Sequence, residues 1–271
     1  NAKIGGDLFD LVKLILSLFV FLLHAKALHF SGIPILRIAV PLFFIMTSYF
    51  FFSKYDAESD STAKKSIFRK YVVRNALLYL IWTVVFICPI LQQRGWFDRP
   101  FPESIVYLLR ALAFGSTFIA SWFISGCVFA TAISIGISKK RVKAPSVVLA
   151  IVFFLFSALF SNYRYAFPIS DAFFDGYFKV FCYPYTSFVI SFAWVTIGRF
   201  FANWTIKTNG LILGCLVLVA LMLLLVEDKI IDVHAFHYNH SVYLSLALLC
   251  PALFALLLKA PQIHIPYASK M

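Results

Sequence analysis

The chain has 271 residues, of which 62% are hydrophobic and only 13% charged, with a formal charge of +12 at pH 7. A soluble domain carries roughly 25% charged residues, so this composition excludes an ordinary soluble fold. The basic excess alone fits nucleic acid, but its distribution along the chain, described below, argues against that partner.

The apolar residues gather into runs separated by short polar stretches. A bilayer core ~30 Å thick needs about 20 mostly apolar helical residues to cross it. Eight segments approach that length: 11–23, 33–52, 72–91, 118–137, 147–160, 181–201, 211–226 and 242–258. The pattern predicts an all-α, polytopic membrane helix bundle of about eight transmembrane helices, a single domain over residues 1–271. The first run is interrupted only by Lys13 and Ser17 and is followed by His24. Between the second and third runs, 56–63 reads as a polar linker. Pro100 and Pro102 open a long connection before the fourth run, with 103–114 predicted as an interfacial helix. Glu227, Asp228 and Asp232 are expected in a loop after the seventh run, followed by His234, His237 and His240.

The chain begins at Asn1 rather than Met and ends at Ser269-Lys270-Met271 without an obvious terminal element, so it reads as incomplete. No small-residue cleavage site follows the first run, so no cleavable signal peptide is expected. The five cysteines are scattered and form no CxxC, which points to small buried apolar residues rather than a disulfide framework. No internal repeat points to an inverted-repeat transporter.

Sixteen of the 24 basic residues fall at the N-terminus and after the even-numbered runs. Examples are Lys54, Lys64, Lys65, Arg69, Lys70 and Arg74 after the second, and Lys139, Lys140, Arg141 and Lys143 after the fourth. The positive-inside rule places those ends, and the N-terminus, in the cytoplasm of a multi-pass cell-membrane protein. The charge is therefore a topology signal with anionic membrane lipid as its partner, and no nucleic acid is expected.

Ionisable groups inside a span are costly and are functional candidates by default. Lys13 and His24 are eleven residues apart, which puts them within roughly 20° on a helix and about 16.5 Å apart along its axis. Ser17 lies near the same face. Such a stripe is expected to face the bundle interior or a wet cavity. A neutral imidazole suits removal of a proton from an attacking hydroxyl; the alternative is an interfacial His24 with Lys13 snorkelling to the inner surface. Arg37 at the start of the second run reads either as a snorkelling cation or as a contact for a phosphate, sugar or pyrophosphate. Arg69, Lys70 and Arg74 are either topogenic or a cradle for the phosphates of a cytoplasmic nucleotide-like donor. The three histidines at 234, 237 and 240 are read as surface residues, since i and i+6 do not share a helical face, and no metal is expected. No P-loop, GxSxG or HExxH occurs.

In four places the residues match a known pattern. Phe9-Asp10-Leu11-Val12-Lys13 running to Leu22-Leu23-His24 is similar to a basic residue, ten intervening positions and a histidine. Arg37-Ile38-Ala39-Val40-Pro41-Leu42-Phe43-Phe44-Ile45-Met46-Thr47-Ser48-Tyr49-Phe50 forms the second match, Arg69-Lys70-Tyr71 through Arg74 to Leu78-Tyr79-Leu80-Ile81-Trp82 the third, and Ser121-Trp122-Phe123 the fourth. Together they make the chain resemble the acyltransferase 3 family, integral membrane enzymes that commonly O-acylate cell-surface glycans. Lys13 stands where the family usually has arginine, and Thr47-Ser48-Tyr49 where it usually reads Ser-Gly-Tyr. The family usually has about ten spans, so the resemblance implies one or two helices beyond the eighth, in agreement with an incomplete chain.

The resemblance implies that His24 is the catalytic histidine with Lys13 as its partner. It implies that Arg69, Lys70 and Arg74 hold acyl-CoA, acetyl-CoA being the expected form, as co-substrate with no bound cofactor. Arg37, Tyr49 and Trp122 are expected in the acceptor site or pocket. The implied activity moves an acyl group, expected to be acetyl, from cytoplasmic acyl-CoA to a hydroxyl of a cell-surface or lipid-linked carbohydrate. A transporter or flippase for a glycan or small polar solute is the rival reading, and a membrane anchor or sensor partner the third. Dependence on acyl-CoA separates the first from the second; tolerance of changes at Lys13 and His24 marks the third.

Overall fold

The computed structural model describes residues 7–25, 33–88, 100–114, 121–139, 141–181 and 183–260. Among them every regular element is helical. Ten α-helices appear: α1 (Asp7–His24), α2 (Ala39–Tyr55), α3 (Ser61–Val85), α4 (Phe101–Phe114), α5 (Ser121–Ile137), α6 (Ala144–Leu159), α7 (Asp171–Val180), α8 (Phe188–Asn203), α9 (Gly210–Val233) and α10 (Leu246–Lys259). Short 3-10 turns, Pro34–Ile38 and Pro184–Thr186, lead into α2 and α8. Each of the eight predicted runs corresponds to one helix, and the expected interfacial helix is α4.

Local chemistry fixes several boundaries that hydropathy misses. Asp60 accepts from the backbone N–H groups of Thr62 and Ala63, starting α3 at Ser61, so the third helix begins eleven residues before its apolar run. Ser187 caps α8 and Asn209 caps α9 through their side-chain oxygens. Pro184 sets the 3-10 turn before α8, which moves that helix start from the expected 181 to Phe188. The amphipathic α7 escaped the sequence reading because its two aspartates break the apolar run.

The core is built on α8. Its residues Val189 to Val195 are all buried, including Phe192 and Trp194, as is usual for a helix enclosed on all sides. It packs against α2, α5 and α6, while α10 packs on α9 and α2, and α1 lies along α2. Small residues permit the closest approach. A Cβ on Gly198 would stand 1.9 Å from Ser48 Oγ and 2.4 Å from the Ile45 carbonyl oxygen, and one on Gly126 would stand 2.3 Å from Ser191 Oγ. Ser48 is itself buried and returns its hydroxyl to the Phe44 and Ile45 carbonyls. Ser48 on α2 is thus met by a glycine on α8, which accommodates it.

Polarity is inverted relative to a water-soluble protein. Leu14, Leu18 and Phe21 on α1, Leu77, Leu80 and Ile81 on α3, and Leu211, Leu218 and Met222 on α9 are exposed, whereas Arg199 is completely buried. Outward apolar faces on this scale call for lipid or a partner. Pro34–Tyr55 and Gly210–Val233 are long and apolar enough to cross a bilayer, and α5, α6, α8 and α10 are shorter apolar helices.

The chain runs up and down between two ends. At one, the final turns of α2, α5 and α8 meet at Arg199. Its guanidinium forms a fork with Asp56, Nε to Oδ2 at 3.0 Å and Nη2 to Oδ1 at 2.9 Å, and its Nη1 donates to the Ser134 carbonyl at 2.6 Å. Asn203 also donates to Asp56, and the guanidinium lies 4.4 Å over the Phe52 ring. The reading of 56–63 as a polar linker is corrected here at Asp56, which forms a buried ion pair with Arg199; with the Ser134 contact it ties three helices together.

Candidate active site

At the opposite end, the finish of α1, the start of α2, the finish of α9 and the start of α10 converge. Two acidic side chains on the last turns of α9 organise this end. Glu227 accepts from the N–H groups of Leu244 and Ser245 at the approach to α10, and from the Tyr163 hydroxyl after α6. Asp228 accepts from the Tyr243 hydroxyl at 2.6 Å. The expected acidic loop is therefore the end of helix α9, two turns longer than its apolar run, with the Glu227 and Asp228 carboxylates both in use. Ser161 and Asn162 complete the join, accepting from the backbone of Ser241 and Val242.

His24 closes α1 at this end and is exposed. The guanidinium of Arg37 lies within electrostatic reach of His24, Tyr243 and His240. Arg37 Nε is buried and has no hydrogen-bond partner among the described residues. An unpartnered buried guanidinium donor costs free energy unless something occupies it, so this nitrogen is suited to an oxygen atom of a bound molecule. Burial and the adjacent Asp228 carboxylate push the Tyr243 phenol up, so it stays protonated at neutral pH.

Lys13 lies toward the Arg199 end of the same helix. Its ammonium pairs with Asp10 Oδ1 at 2.8 Å and sits 5.8 Å from the Phe50 ring centre. Sequence reasoning missed Asp10 as the partner, although i,i+3 spacing of opposite charges on a helix was the available signal. The polar stripe also differs from expectation in direction. The seam of α1 that packs into the core is Phe9, Leu16 and Leu23, while Ser17 and His24 are exposed and Lys13 is half-buried. The stripe is turned by roughly 80° from that seam, because the spacing-seven apolar residues bury better than it does.

The other expected site residues do not all converge. Arg69, Lys70 and Arg74 occupy the exposed side of α3 toward its middle. Tyr71 from the same stretch turns inward and packs 4.6 Å from the Phe51 ring. Tyr49 lies ten residues into α2, about 15 Å from its start, and packs on Phe254 of α10 rather than beside Arg37. Trp122, on the first turn of α5, packs 5.7 Å from Phe44, on the second turn of α2. Arg37 and Trp122 thus lie toward the His24 end, and Arg37 is within electrostatic reach of His24.

Of the three histidines near 237, His234 turns away, with Nδ1 2.9 Å from the Ile230 carbonyl. His237 and His240 instead face each other with ring centres 4.2 Å apart.

Comparison with protein families gives one assignment: the acyltransferase 3 family, described as an acyltransferase domain, matches residues 8–263. The chain belongs to the acyltransferase 3 family. It is accordingly a membrane-associated acyltransferase that transfers groups other than aminoacyl groups. Searches of curated proteins and of solved structures give no match. Membership covers nearly the whole chain, including α1 with Lys13 and His24, the first half of α3 with its three cations, and the α9–α10 hairpin.

Proposed function

We propose that this acyltransferase moves an acetyl group from cytoplasmic acetyl-CoA to a hydroxyl of an outward-facing carbohydrate, with His24 as the general base. The observation that carries this reading is the division of one helix: His24 stands exposed at the end that holds Arg37, and Lys13 is ion-paired toward the end where α3 begins. The N-terminus and the Arg199 end are assigned to the cytoplasm from the distribution of lysine and arginine. Arg69, Lys70 and Arg74, exposed on α3, are assigned the phosphates of the donor, which flexible or planar cations hold by charge-assisted hydrogen bonds.

The chemistry follows from the groups. His24 takes the proton from the acceptor hydroxyl as that oxygen bonds to the thioester carbonyl carbon. The carbonyl electrons move to oxygen, which Arg37 Nε is suited to receive as a developing oxyanion. Collapse of this intermediate breaks the carbon–sulfur bond, and the imidazolium returns its proton to the departing CoA sulfur. Lys13 is assigned a positioning role through Asp10, holding the inner half of α1 rather than touching the acyl group.

The test uses the full-length protein in its own membranes, supplied with labelled acetyl-CoA. Removing a general base typically costs 10²–10⁴-fold in rate, so His24→Ala is expected to lose transfer by at least that lower factor at normal insertion. Lys13→Arg is expected to stay within a few-fold of wild type, because arginine retains the pair with Asp10. Wild-type transfer by His24→Ala would contradict the assignment.

A further inference from the structure

We infer that Asp232, His237 and His240 form a binding site for a divalent transition-metal ion of the zinc type at the free end of the α9–α10 hairpin. The potential ligand atoms of these three residues lie within 4.8 Å of one another. Two ligands of a tetrahedral ion bound at ~2.1 Å stand roughly 3.4 Å apart. His240 Nε2 and Asp232 Oδ1 are already 3.5 Å apart, too far for a hydrogen bond and close to that spacing.

Proton placement strengthens the assignment. The Tyr243 hydroxyl has one proton, and it goes to Asp228. Tyr243 is therefore the acceptor in its 3.1 Å contact with His240 Nδ1, which must carry the ring proton. That leaves an Nε2 lone pair directed at the Asp232 carboxylate, an arrangement a cation between them resolves. In the neutral imidazole that Nε2 has no proton to offer the carboxylate. The Asp228–Tyr243–His240 chain has the form of the outer hydrogen-bonded partners that orient a ligating histidine. His237 Nδ1 is buried with no hydrogen-bond partner among the described residues, which leaves its lone pair or proton unmet.

Backbone geometry brings the residues together. Helix α9 ends in a turn in which Ala235 N–H donates to the Asp232 carbonyl and Phe236 N–H to the Ile231 carbonyl. Ala235 takes φ 51°, the left-handed conformation usually given to glycine there. This reversal carries His237 back over Asp232. The helical-spacing argument against a metal at 234, 237 and 240 fails because the chain has left the helix at His234. His234 is not one of the three ligands.

Two imidazoles with one carboxylate suit zinc and its transition-metal neighbours, whereas calcium and magnesium demand oxygen ligands. Asp228 and Asp232 offset the charge of Arg37, which is within electrostatic reach of His240. The site does not depend on the proposed acyl-transfer chemistry, and its test reads metal rather than activity.

The full-length protein, purified with a tag that contains no histidine, is stripped with chelator, exchanged into buffer and titrated with Zn²⁺. Bound metal is counted by mass spectrometry, and Co²⁺ is substituted to read the coordination from its visible spectrum. The expected result is about one tightly held ion per chain, with a Co²⁺ spectrum of low coordination number. Asp232→Asn, which alters a side chain 43% exposed and so spares the fold, is expected to weaken binding at least ten-fold, as is His237→Ala. Tyr243→Phe is expected to weaken it about ten-fold or more by releasing His240. His234→Ala is expected to bind as wild type does. No retained ion, or equal binding by wild type, Asp232→Asn and His237→Ala, would overturn the site.

Discussion

At the scale of single residues, the account rests on charges that composition makes expensive. Arg199 is the clearest. Its fork on Asp56 and its bond to the Ser134 carbonyl satisfy a fully buried guanidinium. Breaking a buried pair from one side leaves the other charge uncompensated, at about 3–5 kcal/mol. Arg199→Met is therefore expected to lower thermal stability strongly, measured as earlier loss of the monodisperse peak on heating in detergent. The double variant Arg199→Met with Asp56→Leu should recover much of the loss. Neither charge was legible as a pair, because 143 residues separate them and each lies beside an ordinary topogenic cluster. Lys13 and His24 were legible, since eleven residues on a helix fix their common face whatever surrounds them. The direction of that face was not, because it depends on which side α2 occupies.

Helix ends and crossings carry the next set of effects. Asp60 caps α3 by accepting two backbone N–H bonds, which hold its carboxyl below the ordinary carboxylate value. A depressed carboxylate adds stability above its unfolded pKa and loses it as pH falls through the folded one. The amides of Thr62 and Ala63 are expected to lose hydrogen-exchange protection as pH drops below about 4, while Asp60→Asn keeps its protection there. Gly198 sets the crossing of α2 and α8. A methyl group there meets the Ile45 carbonyl as well as the Ser48 hydroxyl. Overpacking typically costs 1–3 kcal/mol, so Gly198→Ala is expected to destabilise by about 2 kcal/mol in thermal unfolding. Ser48→Gly should rescue it only in part, because the backbone carbonyl remains. The existence of eight long helices was readable from apolar runs, and their ends were not. Hydropathy does not register the Asp60 cap, the Pro184 turn, or the polar last turns of α9, which are helical because their carboxylates bind α10.

For the whole molecule, an apolar exterior around a buried ion pair and a polar cluster at the other end fits a helix bundle in lipid. The two ends differ in kind. The Arg199 end is locked by a paired charge, while the His24 end presents an exposed imidazole and a guanidinium nitrogen with no hydrogen-bond partner among the described residues. That asymmetry suits an enzyme that takes its donor on one side and its acceptor on the other. The matched residues in α1, α2, α3 and α5 indicated the family from the sequence. The convergence of α1, α2, α9 and α10 around Arg37 required the fold, since no motif in α9 or α10 announced it.

The most direct test of vectorial transfer uses sealed membrane vesicles of both orientations containing the full-length protein, with labelled acetyl-CoA added outside. Inside-out vesicles, whose cytoplasmic face is exposed, are expected to acetylate glycan within the lumen, right-side-out vesicles to do so only after permeabilisation, and His24→Ala vesicles in neither case. Equal labelling by intact vesicles of both orientations, or labelling that survives His24→Ala, would contradict the account.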